Sequence, residues 1–356
     1  MAEPTWLIYG ATGFTGRLVA AEAVRRGLSP ILAGRNGDAV FALAEELKLP
    51  ARVFTLDTPE DVRRGIEGAR LVLHCAGPFV RTSRAVVDAC LDLRAHYLDI
   101  TGEIAVFEAI LSRDAEAKAA GVALVPGVGF DVVPTDCLAA LLLQDLPDAS
   151  NLDLAFAGER GSWSAGTLKT AIEAMPSAGA VRRSGRIVGV PIAFDVRDIV
   201  FSNGRRTTVT IPWGDVATAY HTTGIPNIRV YAGMPPQQID QLKRLARLLP
   251  ALRVTAIKRL AQWWVGRTVK GPDEKTRATA RAYLWGRVWN DRGLAVTRTM
   301  ETPEGYTLTA IAAIECASRV LADRVKPGAW TPARAFGAGL AESLPGVTVG
   351  DVLRGV

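Results

Sequence analysis

The first third of the chain alternates short, mostly apolar runs with stretches of helical periodicity. The runs are residues 6–9, 30–34, 52–56, 69–75, 95–100 and 122–126. Runs of this length without regular polar alternation are expected of parallel strands buried on both faces. Between them, residues 18–24, 38–47, 83–93 and 104–119 space apolar side chains as one face of a helix does. Asp38 stands where it would cap the second helix, and Thr58 followed by Pro59 marks another helix start. Open parallel sheets bind ligands beyond the carboxyl ends of their strands. The segments at Gly10, Arg35, Asp57, Ala76, Gly102 and Gly127 are therefore expected along one edge. Residues 127–136 lead into a helix that runs through Leu143.

Beyond about Asn151 the texture changes to turns and alternating stretches. Residues 152–157, 186–192, 206–211, 294–300 and 306–314 read as strands of a mostly antiparallel sheet. Residues 166–174 and 237–249 read as helices, and a final helix begins near Trp330. No internal repeat interrupts this order.

The first strand runs directly into Gly10-Ala11-Thr12-Gly13-Phe14-Thr15-Gly16, and a helix follows. Strand, glycine-rich turn and helix open a dinucleotide-binding βαβ unit. Gly10 would allow the tight turn, Gly13 the close approach of a pyrophosphate, and Gly16 the packing of helix on strand. The helix N-terminus supplies N–H groups and partial positive charge to the phosphates. NAD enzymes of this fold place an acid near the end of the second strand. Here that position reads Ala33-Gly34-Arg35-Asn36, without one. A guanidinium pairs with phosphate bidentately, so Arg35 favours the 2′-phosphate of NADP(H), the alternative being a solvated surface charge. Asp57 either lines the adenine pocket or caps the next turn.

Composition narrows the classes. At 356 residues and 49% hydrophobic content, the chain suits one large or two medium domains. No apolar run reaches 18 residues, and no basic segment leads into an apolar one near the N-terminus, so neither a membrane span nor a signal peptide is expected. Four dispersed cysteines and three histidines without ligand spacing predict reduced thiols, a cytoplasmic protein and no metal site. The net charge of +6 is local: residues 239–292 hold 13 Lys or Arg against 4 Asp or Glu, leaving the remainder net acidic. Within residues 239–268, apolar residues at helical spacing alternate with basic ones, and Trp263 and Trp264 stand among them. Such a stretch suits the inner face of a membrane, an acidic acyl carrier, dimer packing, or a helix covering its own core. Nucleic acid is not expected, because no recognised binding motif accompanies the charge. A homodimer is the common default for a soluble oligomer.

None of the six tyrosines has Lys four positions later, so the Tyr-x-x-x-Lys apparatus of short-chain reductases is absent. Instead, five further pieces occur in order: Ala33-Gly-Arg35, Cys75-Ala-Gly-Pro-Phe79, Tyr97-Leu-Asp-Ile-Thr-Gly-Glu103, Pro126-Gly-Val-Gly-Phe-Asp131 and Trp330-Thr-Pro-Ala-Arg-Ala-Phe-Gly337. With the glycine loop, Ser164-Ala-Gly-Thr167 and Thr223-Gly-Ile-Pro-Asn227, they resemble the saccharopine dehydrogenase-like oxidoreductases. The branch they resemble includes the bacterial trans-acting enoyl reductases. The resemblance implies an α/β fold: an N-terminal Rossmann domain with a parallel sheet (1–131), then an α+β substrate domain with a mainly antiparallel sheet (132–328). A C-terminal segment (329–356) would return to the first domain. It further implies NADP(H), with Ala76, Gly77 and Pro78 bordering the ribose-nicotinamide.

The protein must then orient a hydride donor, exclude water and supply a proton or an oxyanion partner. Glu103 and Asp131 follow expected strand ends. Each is either a proton donor of raised pKa or a helix cap. Ser164 and Thr167 either bind a substrate carbonyl or make turns. The activity this predicts is NADPH-dependent reduction of a C=C or C=O in a hydrophobic substrate. Imine reduction or amine oxidation, and a non-catalytic NADP-binding protein, are the alternatives.

Overall fold

A computed structural model describes residues 5–158, 179–245, 264 and 271–355. Contacts divide the chain into two compact units. The first comprises residues 1–130 and 306–336, the second residues 131–305 and 337–356. Compared with the boundaries expected from sequence, residues 306–328 move into the first unit and residues 337–356 into the second.

In the first unit the strands are β1 (Trp6–Tyr9), β2 (Ile31–Gly34), β3 (Ala51–Val53), β4 (Leu71–His74), β5 (His96–Asp99) and β6 (Ala123–Val125). The helices between them are α1 (Phe14–Arg25), α2 (Gly37–Leu47), α3 (Pro59–Ile66), α4 (Phe79–Leu93), α5 (Ile104–Leu111) and α6 (Asp114–Ala120). Among the described residues the sheet is parallel, in the order Gly328–Ala329, β6, β5, β4, β1, β2, β3. Without its added edge strand this is the doubly wound order, whose direction reverses between β1 and β4. β1 and β4 are buried at every position, which is why they are apolar but for His74 at the end of β4 and the Tyr9 hydroxyl at the end of β1.

Three local readings need correction. Residues 306–314, expected as a strand, lie in the helix Gly305–Leu321. Its buried residues, including Leu308, Ala312, Cys316 and Val320, follow a helical rather than a two-residue period. The single helix expected over 104–119 breaks into α5 and α6 at Ser112 and Arg113. Asn36, not Asp38, caps α2, its side chain accepting from the Ala39 N–H at 3.2 Å. Thr58 does cap α3, accepting from the Asp61 N–H at 3.2 Å.

The second unit opens with α7 (Val133–Asp145). Its strands are β7 (Asn151–Gly158), β8 (Gly179–Arg183), β9 (Arg186–Val190), β10 (Val196–Phe201), β11 (Gly204–Thr210), β12 (Asn227–Gly233), β13 (Arg281–Trp289) and β14 (Ala295–Pro303). Helices α8 (Asp215–Thr223), α9 (Pro236–Leu245) and α10 (Glu274–Thr279) lie between them. The sheet runs β10, β11, β12, β7, β13, β14, with Thr348–Val349 beside β14. It is antiparallel except at β12–β7. α7 packs so closely on it that a Cβ at Gly286 would lie 2.6 Å from Leu142 Cδ1.

In α9, Ile239 is buried against Ala193 and Val209, whereas Lys243 and Arg244 are exposed. The apolar side of this helix thus covers its own core. Of the remainder of the basic stretch, only the exposed Trp264 is among the described residues. The helix expected over 166–174 lies outside the described residues, as do Ser164 and Thr167.

Candidate functional site

The glycine loop is built as three different constraints. Gly10 has φ +81°, and a Cβ on it would lie 2.8 Å from the Ala76 Cβ and 2.9 Å from its nitrogen. The chain ends of β1 and β4 therefore touch here, at the switch point. The Gly10 and Ala11 N–H groups both donate to the Ala33 carbonyl, at 2.8 and 3.1 Å. At Gly16 a Cβ would stand 2.2 Å from the Gly10 oxygen, so its bareness lets α1 pack. At Gly13 a Cβ would meet within 4 Å only the Gly10 oxygen, at 3.3 Å, and the residue is exposed. What its missing side chain leaves open is therefore an outward face.

The N-cap of α1 is Gly13, which has no side chain, and its first turn holds no acid, whereas Asn36 and Thr58 cap α2 and α3. An anion suits the positive end of such a helix. Thr12 and Thr15 flank that end, both half-buried. Phe14 is held edge-on to Tyr306, with ring centroids 5.0 Å apart.

Beyond β2, Arg35 is exposed and no acid accompanies it on that turn. Asp57 is exposed beyond β3. It does not cap α3, a role taken by Thr58. Both charges act on the Tyr9 hydroxyl, which donates to the Phe54 carbonyl at 3.3 Å. Burial pushes that phenol up to about 12, with Arg35 opposing and Asp57 adding to the shift. Arg35, Asp57 and Tyr9 therefore gather on one side of the glycine loop.

On the other side lies Cys75-Ala76-Gly77-Pro78, with Gly77 exposed and the Gly77–Pro78 bond cis. Thr82 Oγ1 donates to the Ala76 carbonyl at 2.8 Å and meets His74 Nε2 at 2.9 Å. His74 is wholly buried, and desolvation pulls its pKa down to about 3, so the ring is neutral. Glu103 stands in the N-cap position of α5 but makes no side-chain cap there. Its carboxylate reaches across to α4, accepting from the N–H groups of Phe79 at 2.7 Å and Val80 at 2.8 Å. The capping reading of Glu103 is thereby corrected: it caps a helix, but that helix begins 24 residues earlier.

Sequence reasoning missed Asp99, at the end of β5. It is wholly buried and accepts from Tyr97 Oη at 2.7 Å, the Gly127 N–H at 2.8 Å and the Thr101 N–H at 3.0 Å. It ties the loops after β5 and β6 together. Burial raises its pKa to about 6 against the lowering by these donors.

Asp131 belongs to the second unit and does not cap α7. It is half-buried, desolvation raises its pKa to about 7, and its carbonyl accepts from Trp213 Nε1 at 2.7 Å. Two further carboxyls lie near it, neither foreseen. Asp136 is buried and accepts from Thr222 Oγ1 at 2.5 Å. Asp215, at the start of α8, is wholly buried, with neither oxygen in hydrogen-bonding geometry. Burial pushes its pKa well up, and repulsion from Asp136 and Asp131 adds to this. The only signal in sequence was an acid opening a helix, which ordinarily reads as an exposed first turn. Among the described residues no group of three His, Cys, Asp or Glu could hold a metal ion.

The first unit is an NADP-binding domain: residues 6–125 match the family model of the saccharopine dehydrogenase NADP binding domain. Over 94% of its length the chain is 25% identical to a probable mitochondrial saccharopine dehydrogenase-like oxidoreductase of Arabidopsis thaliana, 93% of which is covered. It is 28% identical to a trans-acting enoyl reductase of Mycobacterium ulcerans, over 52% of this chain and 48% of that protein. Its fold matches that of apo saccharopine dehydrogenase (L-Glu forming) from Saccharomyces cerevisiae with a TM-score of 0.67, at 12% identity over 99% of this chain and 100% of that one. The resemblance read from the motifs, the α/β fold class and NADP(H) as cofactor all hold in these comparisons.

Proposed function

We propose that the protein is an NADPH-dependent reductase acting on a C=C or C=O bond of a hydrophobic substrate. The observation that carries the reading is the glycine N-cap of α1 with the outward face of Gly13, and Arg35 exposed on the neighbouring strand end. In this reading Gly13, whose own N–H donates to the Gly10 carbonyl, gives the pyrophosphate its close approach, the first turn of α1 turns its positive end to it, and Arg35 forks onto the 2′-phosphate. Asp57 borders the adenosine, and Ala76 to Pro78 border the nicotinamide ribose. NADPH, when bound, supplies the hydride. The chain's own contribution is to orient it, shield it and deliver a proton. A C=C bond as the reduced group is supported by the trans-acting enoyl reductase of Mycobacterium ulcerans, which this chain resembles over about half its length.

Titration with NADPH and NADH, followed by reduced-nicotinamide fluorescence, tests the cofactor assignment. NADPH should bind at least ~10-fold more tightly than NADH, and Arg35→Ala should remove that preference, since a charge-assisted pair to phosphate is worth about one power of ten or more. Failure of both cofactors to bind would end the reductase reading. A panel of enoyl, ketone and imine substrates with NADPH then tests the chemistry. Turnover of imines alone would make the protein an imine reductase instead.

A further inference from the structure

We propose that Glu103 is a positioning residue for the nicotinamide half of the cofactor site, acting by clamping the turn that joins β4 to α4. The inference rests on the NADPH reading above and assigns Glu103 a part in it. The observation is a carboxylate at the end of β5 that takes the first two N–H groups of α4, Phe79 at 2.7 Å and Val80 at 2.8 Å. A carboxylate accepting two main-chain N–H groups at a helix N-terminus makes two charge-assisted bonds and meets the helix dipole. The turn is gripped from its other side by Thr82, bonded to the Ala76 carbonyl and to the neutral His74 ring. Glu103 itself is steadied by its loop: its N–H donates to Thr101 Oγ1 at 3.1 Å, and Asp99 holds the Thr101 N–H at 3.0 Å. A chain of bonds thus runs from the buried end of β5 to Phe79 and Val80, just beyond the exposed Gly77.

Geometry says which half of the cofactor feels this clamp. The crevice opens where β1 and β4 diverge, and Arg35 at the end of β2 draws the 2′-phosphate to the β2 side. A dinucleotide crossing Gly13 must then carry its second ribose and base over the β4 and β5 ends. The residues there are Ala76 to Pro78 and the loop of Glu103. The clamp also closes the positive end of α4 to any anion. Of the two helix ends flanking the switch point, that of α4 is thus taken by Glu103, and the glycine-capped end of α1 faces the pyrophosphate.

The test compares a whole cofactor with its adenosine half. NADPH and adenosine 2′,5′-bisphosphate are titrated against the parent protein, Glu103→Gln and Glu103→Ala. Gln keeps one acceptor and loses the charge, so Glu103→Gln should weaken NADPH by about 10-fold and Glu103→Ala by more. Adenosine 2′,5′-bisphosphate should bind all three alike, and NADPH bound to the variants should lose fluorescence enhancement. Equal weakening of both ligands would make Glu103 a general prop of the fold and overturn the proposal, as would no change in either. If the parent protein binds neither ligand, the NADPH reading itself fails, and the clamp with it. Should Glu103→Gln not fold, Glu103→Asp retains the charge on a shorter arm and is judged by the same comparison.

Discussion

At the scale of single residues, three glycines in one motif do three different jobs, and substitution should separate them. A methyl group at Gly16 would overlap the Gly10 oxygen, 2.2 Å away, and main chain cannot yield as a flexible side chain can. Gly16→Ala should therefore destabilise the protein by ~1–3 kcal/mol, the usual cost of overpacking, seen as a lower midpoint in urea. A methyl at Gly13 meets only that same oxygen, at 3.3 Å, and otherwise points outward. Gly13→Ala should leave the midpoint nearly unchanged while NADPH affinity falls at least ~10-fold, about 1.4 kcal/mol. A large loss of stability in Gly13→Ala with affinity intact would contradict the assignment. The motif itself was legible in sequence because its spacing and its place between strand and helix are local. Glu103 was legible as a residue of interest but not in its role. Its partners, Phe79 and Val80, lie on another strand-helix connection, and no local pattern records a bond formed across the sheet edge.

At the scale of elements, a helix start is legible where neighbouring residues satisfy it by themselves. Thr58-Pro59 announced α3 because a hydroxyl acceptor and a proline at the first helical position satisfy the helix start by themselves. Thr58→Ala should accordingly cost ~1 kcal/mol, measurable in urea unfolding. A neutral outcome would mean that solvent satisfies the Asp61 N–H equally well. The helix Gly305–Leu321 was misread because its first residues alternate. Tyr306-Thr307-Leu308-Thr309-Ala310-Ile311 has the two-residue period and β-branched content of a strand. What decides the matter is tertiary. Thr309 Oγ1 accepts from the Phe130 N–H at 3.0 Å, and Arg26 pairs with Glu315 at 2.9 Å while donating to the Ile311 carbonyl at 3.2 Å. These partners are far away in the chain, so local propensity had no access to them. The same remoteness hid the division into units, because the chain leaves the first unit at Phe130 and re-enters it at Tyr306.

At the scale of the whole molecule, buried titratable groups pull stability in opposite directions with pH, and one substitution can expose a single component. Burial holds His74 neutral, with its pKa at about 3 against an ordinary value of 6.5. The unfolded chain therefore binds the extra proton, and stability falls as pH drops below about 6.5. Asp131 (about 7), Asp99 (about 6) and Asp215 have raised pKa values. For these the folded state holds the extra proton, so their contribution falls as pH rises above the unfolded carboxyl range. Between about pH 5 and 6.5 the two trends oppose one another, and the stability of the parent protein against pH gives only their sum. Asp215→Asn removes one proton site from the second group and replaces it with a neutral side chain of nearly the same shape. The variant should be more stable than the parent at pH 8, where keeping Asp215 protonated costs the parent most. The difference should shrink by at most about 1.4 kcal/mol for each pH unit descended. Urea unfolding of both proteins at pH 5, 6, 7 and 8 gives that slope directly. A difference independent of pH would show that Asp215 is not held protonated in the fold, and that the carboxyls at the start of α7 and α8 do not act on one another. A slope approaching one proton would show that burial and the neighbouring Asp136 and Asp131 keep it neutral. Asp131 would then stand beside an acid that already carries its proton.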